Sequence, residues 1–279
     1  MAIQPNVLLP MLPNFLSRSP RGPAGSKHGR RLAIFLFAGT IGLGRWAAEA
    51  ADRDALWTIV HGLCVLNKER ADNPAPCASV DLIDGEESGS AVLKDLIGKT
   101  QFLLIPTRRL PGIEDPLVGT SVLPNYWRDA WAARKLVSLR AQKDLPRSAI
   151  GMAINAANAR SQDQLHIHVD CVRADVRNAL WARLPEIGAS WTDLPVALAG
   201  HAYRARWIDG ASPEPDPFIL LAEDARASGV AMGEETLAVV GAERQDGKEG
   251  FILLARHARE GGRAHAEDLL DHGCALAAK

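Results

Sequence analysis

The sequence predicts an α+β fold with a mainly antiparallel sheet flanked by helices. Strand-like and helix-like segments are mixed without the strict alternation that a parallel sheet requires. Strand candidates are joined by short turns, most plainly Thr236–Ala242 and Phe251–Ala255 around Gln245-Asp246-Gly247-Lys248. Gln164–Cys171 alternates polar and apolar residues without a break, as in a strand with one face on a core.

The composition agrees. With 47% hydrophobic and 23% charged residues over 279 positions, the chain is neither disordered nor fibrous. A formal net charge of -1 argues against nucleic acid as a partner. That balance hides an asymmetry. Residues 1–51 hold Arg18, Arg21, Lys27, Arg30, Arg31 and Arg45 against Glu49 alone, so 26 of the 32 basic and 32 of the 33 acidic residues remain for the rest.

The chain divides at residue 51. Arg30-Arg31 precede the apolar run Leu32–Gly44, and the small-x-small pattern Ala48-Glu49-Ala50 follows. That order is an export signal or, uncleaved, a membrane anchor. A buried core helix is the competing reading. Residues 52–279 then form the functional domain, outside the cytoplasm.

In that domain Asp52 or Asp54 is placed to cap a helix with Leu56, Ile59, Val60, Leu63 and Leu66 on one side. Residues 67–90 read as turn-rich. Ala91–Leu93 and Phe102–Ile105 read as adjacent strands around Gly98, with Pro106 ending the second. Asn125–Gln142 reads as a helix whose Trp127 and Trp131 fill a core or cradle a ligand. Ala149–Asn155 reads as a strand, Arg173–Leu184 as a helix, and Ala264–Ala278 as a closing helix with Leu270, Cys274 and Ala277 on one side.

The four cysteines, Cys64, Cys77, Cys171 and Cys274, contain no C-x-x-C pair, which argues against a thiolate zinc site. Behind an export signal an even count favours two disulfides over buried thiols. Three pairings exist. Cys64–Cys77 with Cys171–Cys274 is the expected one, because it keeps the short loop local.

The chemistry concentrates on one segment. Residues two apart on a strand share a face, so Gln164, His166, His168 and Asp170 lie together, opposite Leu165, Ile167, Val169 and Cys171. Paired imidazoles about 7 Å apart along a strand serve two chemistries. A neutral imidazole attacks phosphorus and forms a covalent intermediate. Alternatively His166, His168 and Asp170 ligate a metal whose bound water attacks. A solvated strand face with incidental histidines is the reading without chemistry.

This stretch resembles the histidine-triad (HIT-like) superfamily: Asn155 at a strand end, Ser161-Gln162 in a turn, then His166-Ile167-His168. The likeness sharpens to one branch. The signal, the Cys64…Pro76-Cys77 loop, Val92-Leu93-Lys94-Asp95-Leu96, Leu104-Ile105-Pro106-Thr107, Ala153-Ile154-Asn155, Leu165-His166-Ile167-His168 and Cys274 are similar to the bacterial CDP-diacylglycerol pyrophosphatase family. Gln164 departs from the pattern, standing where the triad's first histidine belongs.

The resemblance implies hydrolysis of CDP-diacylglycerol to CMP and phosphatidate, on the periplasmic side of a bacterial inner membrane. His166 would be the nucleophile and His168 its partner; in a register shifted by two, His168 attacks and Asp170 replaces the third histidine. Asn155, Ser161, Gln162 and Gln164 would orient the imidazole and bind phosphoryl oxygens. Lys94 and Arg108 would supply local positive charge for an anionic substrate. No cofactor is required by this chemistry. The substrate implies contact with a membrane surface, and many histidine-triad proteins are homodimers. A non-catalytic phospholipid- or nucleotide-binding protein is the alternative outside enzymes. His201 is a further pocket candidate, whereas His61, His257, His265 and His272 carry no functional expectation.

Overall fold

A computed structural model of the chain describes residues 52–258 and 262–278. The signal or anchor read in residues 1–51 lies outside the described residues. Among those described, no helix is long and apolar enough to cross a membrane.

The described residues form a 10-stranded sheet. Its strands are β1 (Ser79–Asp81), β2 (Ser90–Lys94), β3 (Phe102–Pro106), β4 (Ile150–Ile154), β5 (Ile167–Val172), β6 (Thr192–Asp193), β7 (Arg204–Asp209), β8 (Glu235–Glu243), β9 (Glu249–His257) and β10 (Leu270–Asp271). They are ordered β1-β2-β3-β5-β4-β8-β9-β7-β6, and β10 pairs with the end of β5. Each of these pairings is antiparallel. The β8–β9 turn closes as the sequence expects, with Gly247 at φ 82° and the Lys248 N–H bonded to Asp246 Oδ1.

Helices cover both faces. Phe102, Leu104, Ile167, Val169, Met152 and Val239 meet Trp127 and Trp131 of α3 (Tyr126–Ala141) and Phe218 of α5 (Pro217–Ser228). On the other face Leu103 and Ile105 meet Leu56, Val60 and Val65 of the N-terminal helical run. This run is α1 (Ala55–Ile59), a π-helical stretch Val60–Val65, and α2 (Leu66–Ala71). Further along that face Ala153, Val240 and Leu254 meet Val176 and Leu180 of α4 (Ala174–Arg183). Both sides of β5 are therefore buried. Its polar side is an interior site, and Trp127 and Trp131 are core.

Two expectations are corrected. Ala264–Ala278 is not a helix. It contains a 3-10 turn at Glu267–Leu269, the strand β10 and a second 3-10 turn at Ala275–Ala278. Leu270 and Asp271 instead satisfy Val172 and Cys171 in a ladder, so strand pairing overrides helix propensity. Residues 67–90 are turn-rich as expected, with most of α2 and the short β1 among them. Neither Asp52 nor Asp54 caps α1. The Asp54 carboxylate faces Arg109, and the Leu56 N–H is accepted by Gln162 Oε1 at 3.0 Å.

Both expected disulfides form: Cys64–Cys77, with Cα atoms 5.6 Å apart, and Cys171–Cys274, at 5.2 Å.

Candidate active site

The entry to β5 is locked before the first histidine. Gln164 is fully buried, and its Oε1 accepts the Leu110 N–H at 3.3 Å. Its Nε2 donates to the carbonyls of Pro106 at 3.0 Å and Arg108 at 2.9 Å. The Leu165 N–H donates to the Leu110 carbonyl at 2.6 Å. A glutamine amide can donate and accept at once, which a neutral imidazole could not do for this many backbone groups.

The Gln164 carbonyl, so held, accepts from His166 Nδ1 at 2.6 Å. A carbonyl only accepts, so the Nδ1 of His166 carries hydrogen. Burial lowers the His166 pKa and keeps the ring neutral, which leaves a lone pair on Nε2. His168 lies on the same side, its ring centroid 5.0 Å away and tilted by 68°. Its Nδ1 is 2.7 Å from Gln101 Nε2 and 3.3 Å from Glu267 Oε1. Its Nε2 is buried with no partner among the described residues. Burial pushes His168 down to about 3, with Glu267 opposing it and the charge of His272 adding to the effect.

A second layer comes from the 264–274 segment and Asn155. Asn155 Nδ2 donates to Glu267 Oε2 at 3.1 Å, and Asn155 Oδ1 accepts the Glu267 N–H at 3.2 Å. His272 bridges two carboxylates, its Nδ1 3.1 Å from Asp170 Oδ2 and its Nε2 3.4 Å from Glu267 Oε1. Hydrogen bonds to Asp170 and Glu267 raise His272 to about 10 against the cost of burial, so it is an imidazolium at neutral pH. Burial alone would raise the Glu267 carboxyl. The bond from His272, the neighbouring His168 and the amide of Asn155 reverse this and hold it well below the usual carboxylate range.

A narrow cleft, too tight to admit a water molecule, lies beside His166, walled by Gly112, Ile113, Ile154, Asn155, Arg160 and Leu165. Arg160 grips Glu114 through two bonds of 2.8 and 2.6 Å and touches Asp163 at 3.0 Å, so two carboxylates offset its charge.

Of the expected site residues, the structure brings together His166, His168 and Asn155. Gln164 acts through its backbone carbonyl and spends its amide on the 106–110 loop. Gln162 caps α1 and donates to the Asp52 carbonyl at 2.9 Å. Ser161 is exposed. Arg108 pairs with Glu87 at 3.3 Å. Lys94 does not reach the imidazoles: it stands on the α3 side of the sheet, 5.9 Å above the Phe102 ring, and donates to the carbonyls of Asp95 and Gly98. Asp170 is close by but engaged. Its Oδ1 accepts from Thr100 at 2.6 Å and from the Cys171 N–H at 2.8 Å, and Oδ2 faces His272. It is thus a poor match for the metal set His166, His168 and Asp170, and among the described residues no His, Cys, Asp and Glu group is placed to hold a metal ion. His201 lines a separate groove with Tyr203, Arg204 and Arg256. Gln101, Glu267 and His272 come from segments with no catalytic motif of their own, and Arg160 stands unmarked beside Ser161 and Gln162 in the turn before β5.

Two neutral imidazoles, one with a free lone pair and a second with an unpartnered ring nitrogen, make a site suited to nucleophilic or acid–base chemistry. Residues 51–278 match the CDP-diacylglycerol pyrophosphatase family, and the chain belongs to it. It is a hydrolase acting on a pyrophosphate bond, and CDP-diacylglycerol is the substrate that the family implies.

Proposed function

We propose that hydrolysis runs through a nucleotidyl-histidine intermediate formed on His166. Its Nε2 lone pair attacks the cytidine-side phosphorus, and a P–N bond forms as the bridging P–O bond breaks. Phosphatidate leaves with that electron pair. Water then attacks the same phosphorus, the P–N bond breaks, CMP departs, and the proton of the water passes to solvent. Splitting one displacement into two is the benefit of a covalent nucleophile.

One observation carries this reading: the 2.6 Å bond from His166 Nδ1 to the Gln164 carbonyl. It directs the lone pair to Nε2 and steadies the positive ring that forms when Nε2 bonds to phosphorus. The engagement of Asp170 favours His166 as nucleophile over the shifted register. Asn155 and His168 flank the reacting phosphoryl group. The cleft beside His166 is closed even to a water molecule, far below the roughly 300–1,000 Å³ of ligand pockets, so substrate binding parts its walls at Gly112 and Arg160. The reaction as drawn uses no metal, and full activity after exhaustive chelation is the expected outcome.

The same reading takes the fold as a histidine-triad relative. It puts the domain on the periplasmic side of the inner membrane, working at the membrane surface as a homodimer. His166→Ala tests the nucleophile: turnover of CDP-diacylglycerol falls by about a thousandfold or more. A variant that retains the wild-type rate overturns the assignment.

A further inference from the structure

We infer that Gln101 is a positioning residue that holds His168 in the Nε2–H tautomer, so that the second imidazole enters the reaction as a hydrogen-bond donor. The inference rests on the reading above, in which His166 is the acceptor nitrogen that meets phosphorus.

Gln101 is fully buried at the start of β3, directly before Phe102. Its amide nitrogen lies 2.8 Å from Asp95 Oδ2, 3.2 Å from Glu267 Oε1 and 2.7 Å from His168 Nδ1. The two carboxylate oxygens identify that atom as nitrogen, because an amide oxygen there would face two anions. The orientation has a cost, since Gln101 Oε1 is buried with no partner among the described residues. An amide nitrogen has two hydrogens, and its two shortest contacts are His168 Nδ1 and Asp95 Oδ2. A hydrogen pointing at Nδ1 requires a lone pair there. In a neutral ring the proton then sits on Nε2.

Glu267 competes for the opposite tautomer. At 3.3 Å it would accept from a protonated Nδ1, but the Gln101 contact is shorter by 0.6 Å. His272 weakens this competitor further by binding the same Glu267 oxygen. The resulting His168 Nε2–H has no partner among the described residues. A buried donor without a partner is costly in the resting protein, and a non-bridging phosphoryl oxygen relieves that cost as its charge grows. The two rings thus divide the work: His166 presents a lone pair and His168 a hydrogen.

The full chain labelled with ¹⁵N-histidine tests this, with His168 assigned by its loss in His168→Gln. The wild type shows a pyrrole-like Nε2 and a pyridine-like Nδ1 for His168. In Gln101→Met the proton moves to Nδ1, facing Glu267, and kcat falls roughly 100-fold while KM stays within about twofold. Gln101→Glu, which sets an oxygen against Nδ1, moves the proton in the same way. Protonated Nδ1 in the wild type, or an unmoved proton with unchanged kcat in Gln101→Met, overturns the inference. The wild-type spectrum decides alone if the variants do not fold. A fully active His166→Ala with the expected wild-type tautomer removes the nucleophile assignment and leaves this one standing.

Discussion

Cys64–Cys77 and Cys171–Cys274 close loops with sequence separations of 13 and 103 residues. The first joins the π-helical stretch to the turn before β1, among Val80, Leu103 and Ile105. Neither of its cysteines borders a residue of the site. In the second, Cys171 follows Asp170 and Cys274 stands two residues after His272. It fastens the 264–274 segment to the end of β5 beside the two-residue ladder of β10. That segment brings Glu267 and His272 to the imidazoles. The same bond type therefore does different things: one consolidates a corner, and the other holds the part of the site that the main strands do not provide.

The comparison is broken most directly by removing the second bond. Cys171→Ser with Cys274→Ser frees Glu267 and His272, and kcat falls roughly 100-fold through misplacement of the site. On the chain-entropy account the same change costs up to about 5 kcal/mol. Steady-state kinetics below the variant's unfolding midpoint, with a urea titration beside them, measure both. Cys64→Ser with Cys77→Ser costs about 3 kcal/mol on the same account, and kcat is unchanged. Equal kcat losses in the two variants would erase the distinction.

A smaller effect sharpens it. Gly98 sits at φ 75°, and a Cβ added there would stand 2.7 Å from the His272 Cβ. Its neighbour Lys99 donates to the His272 carbonyl at 2.9 Å. Gly98→Ala costs about 1–2 kcal/mol from backbone conformation alone. It also displaces His272, so kcat falls with it, whereas Gly247→Ala at the distant hairpin affects stability only.

The last pair of effects consists of pH signatures of opposite sign. His272 has a folded pKa of about 10 against 6.5. Its contribution is complete below 6.5 and is lost as pH rises through 10. Asp170 and Glu267 face it, with His168 behind Glu267. His168 has a folded pKa of about 3 against 6.5. Its contribution is present above 6.5 and is lost as pH falls through 3. Urea titrations across pH show the destabilisation by His272→Gln shrinking towards alkaline pH. The acid loss of the wild type between 6.5 and 3 is reduced in His168→Gln. Differences that stay flat with pH contradict both assignments.

Much of this was legible in the residues. Alternation in Gln164–Cys171 put both histidines on one side, because the strand period is a local property. The disulfide pairing followed from loop lengths, and α3 from its helical spacing and Asn125, whose Oδ1 accepts the Trp127 N–H. What stayed hidden depends on register between distant segments. Lys94 is on a strand next to β3, yet only the ladder shows that it shares the Phe102 side and not the His168 side. Gln101, Glu267 and His272 each look ordinary along the chain. They acquire a role because β3, β5 and the 264–274 segment converge. That segment has helix-forming residues, and its ladder and disulfide with β5 override them.

The central claim is tested most directly by mass analysis of the full-length enzyme, acid-spared and quenched early in turnover of CDP-diacylglycerol. The account predicts a CMP-sized adduct on the peptide that carries His166, lost on mild acid treatment and missing from His166→Gln. A phosphatidate-sized adduct there, or a CMP adduct on His168, would contradict it.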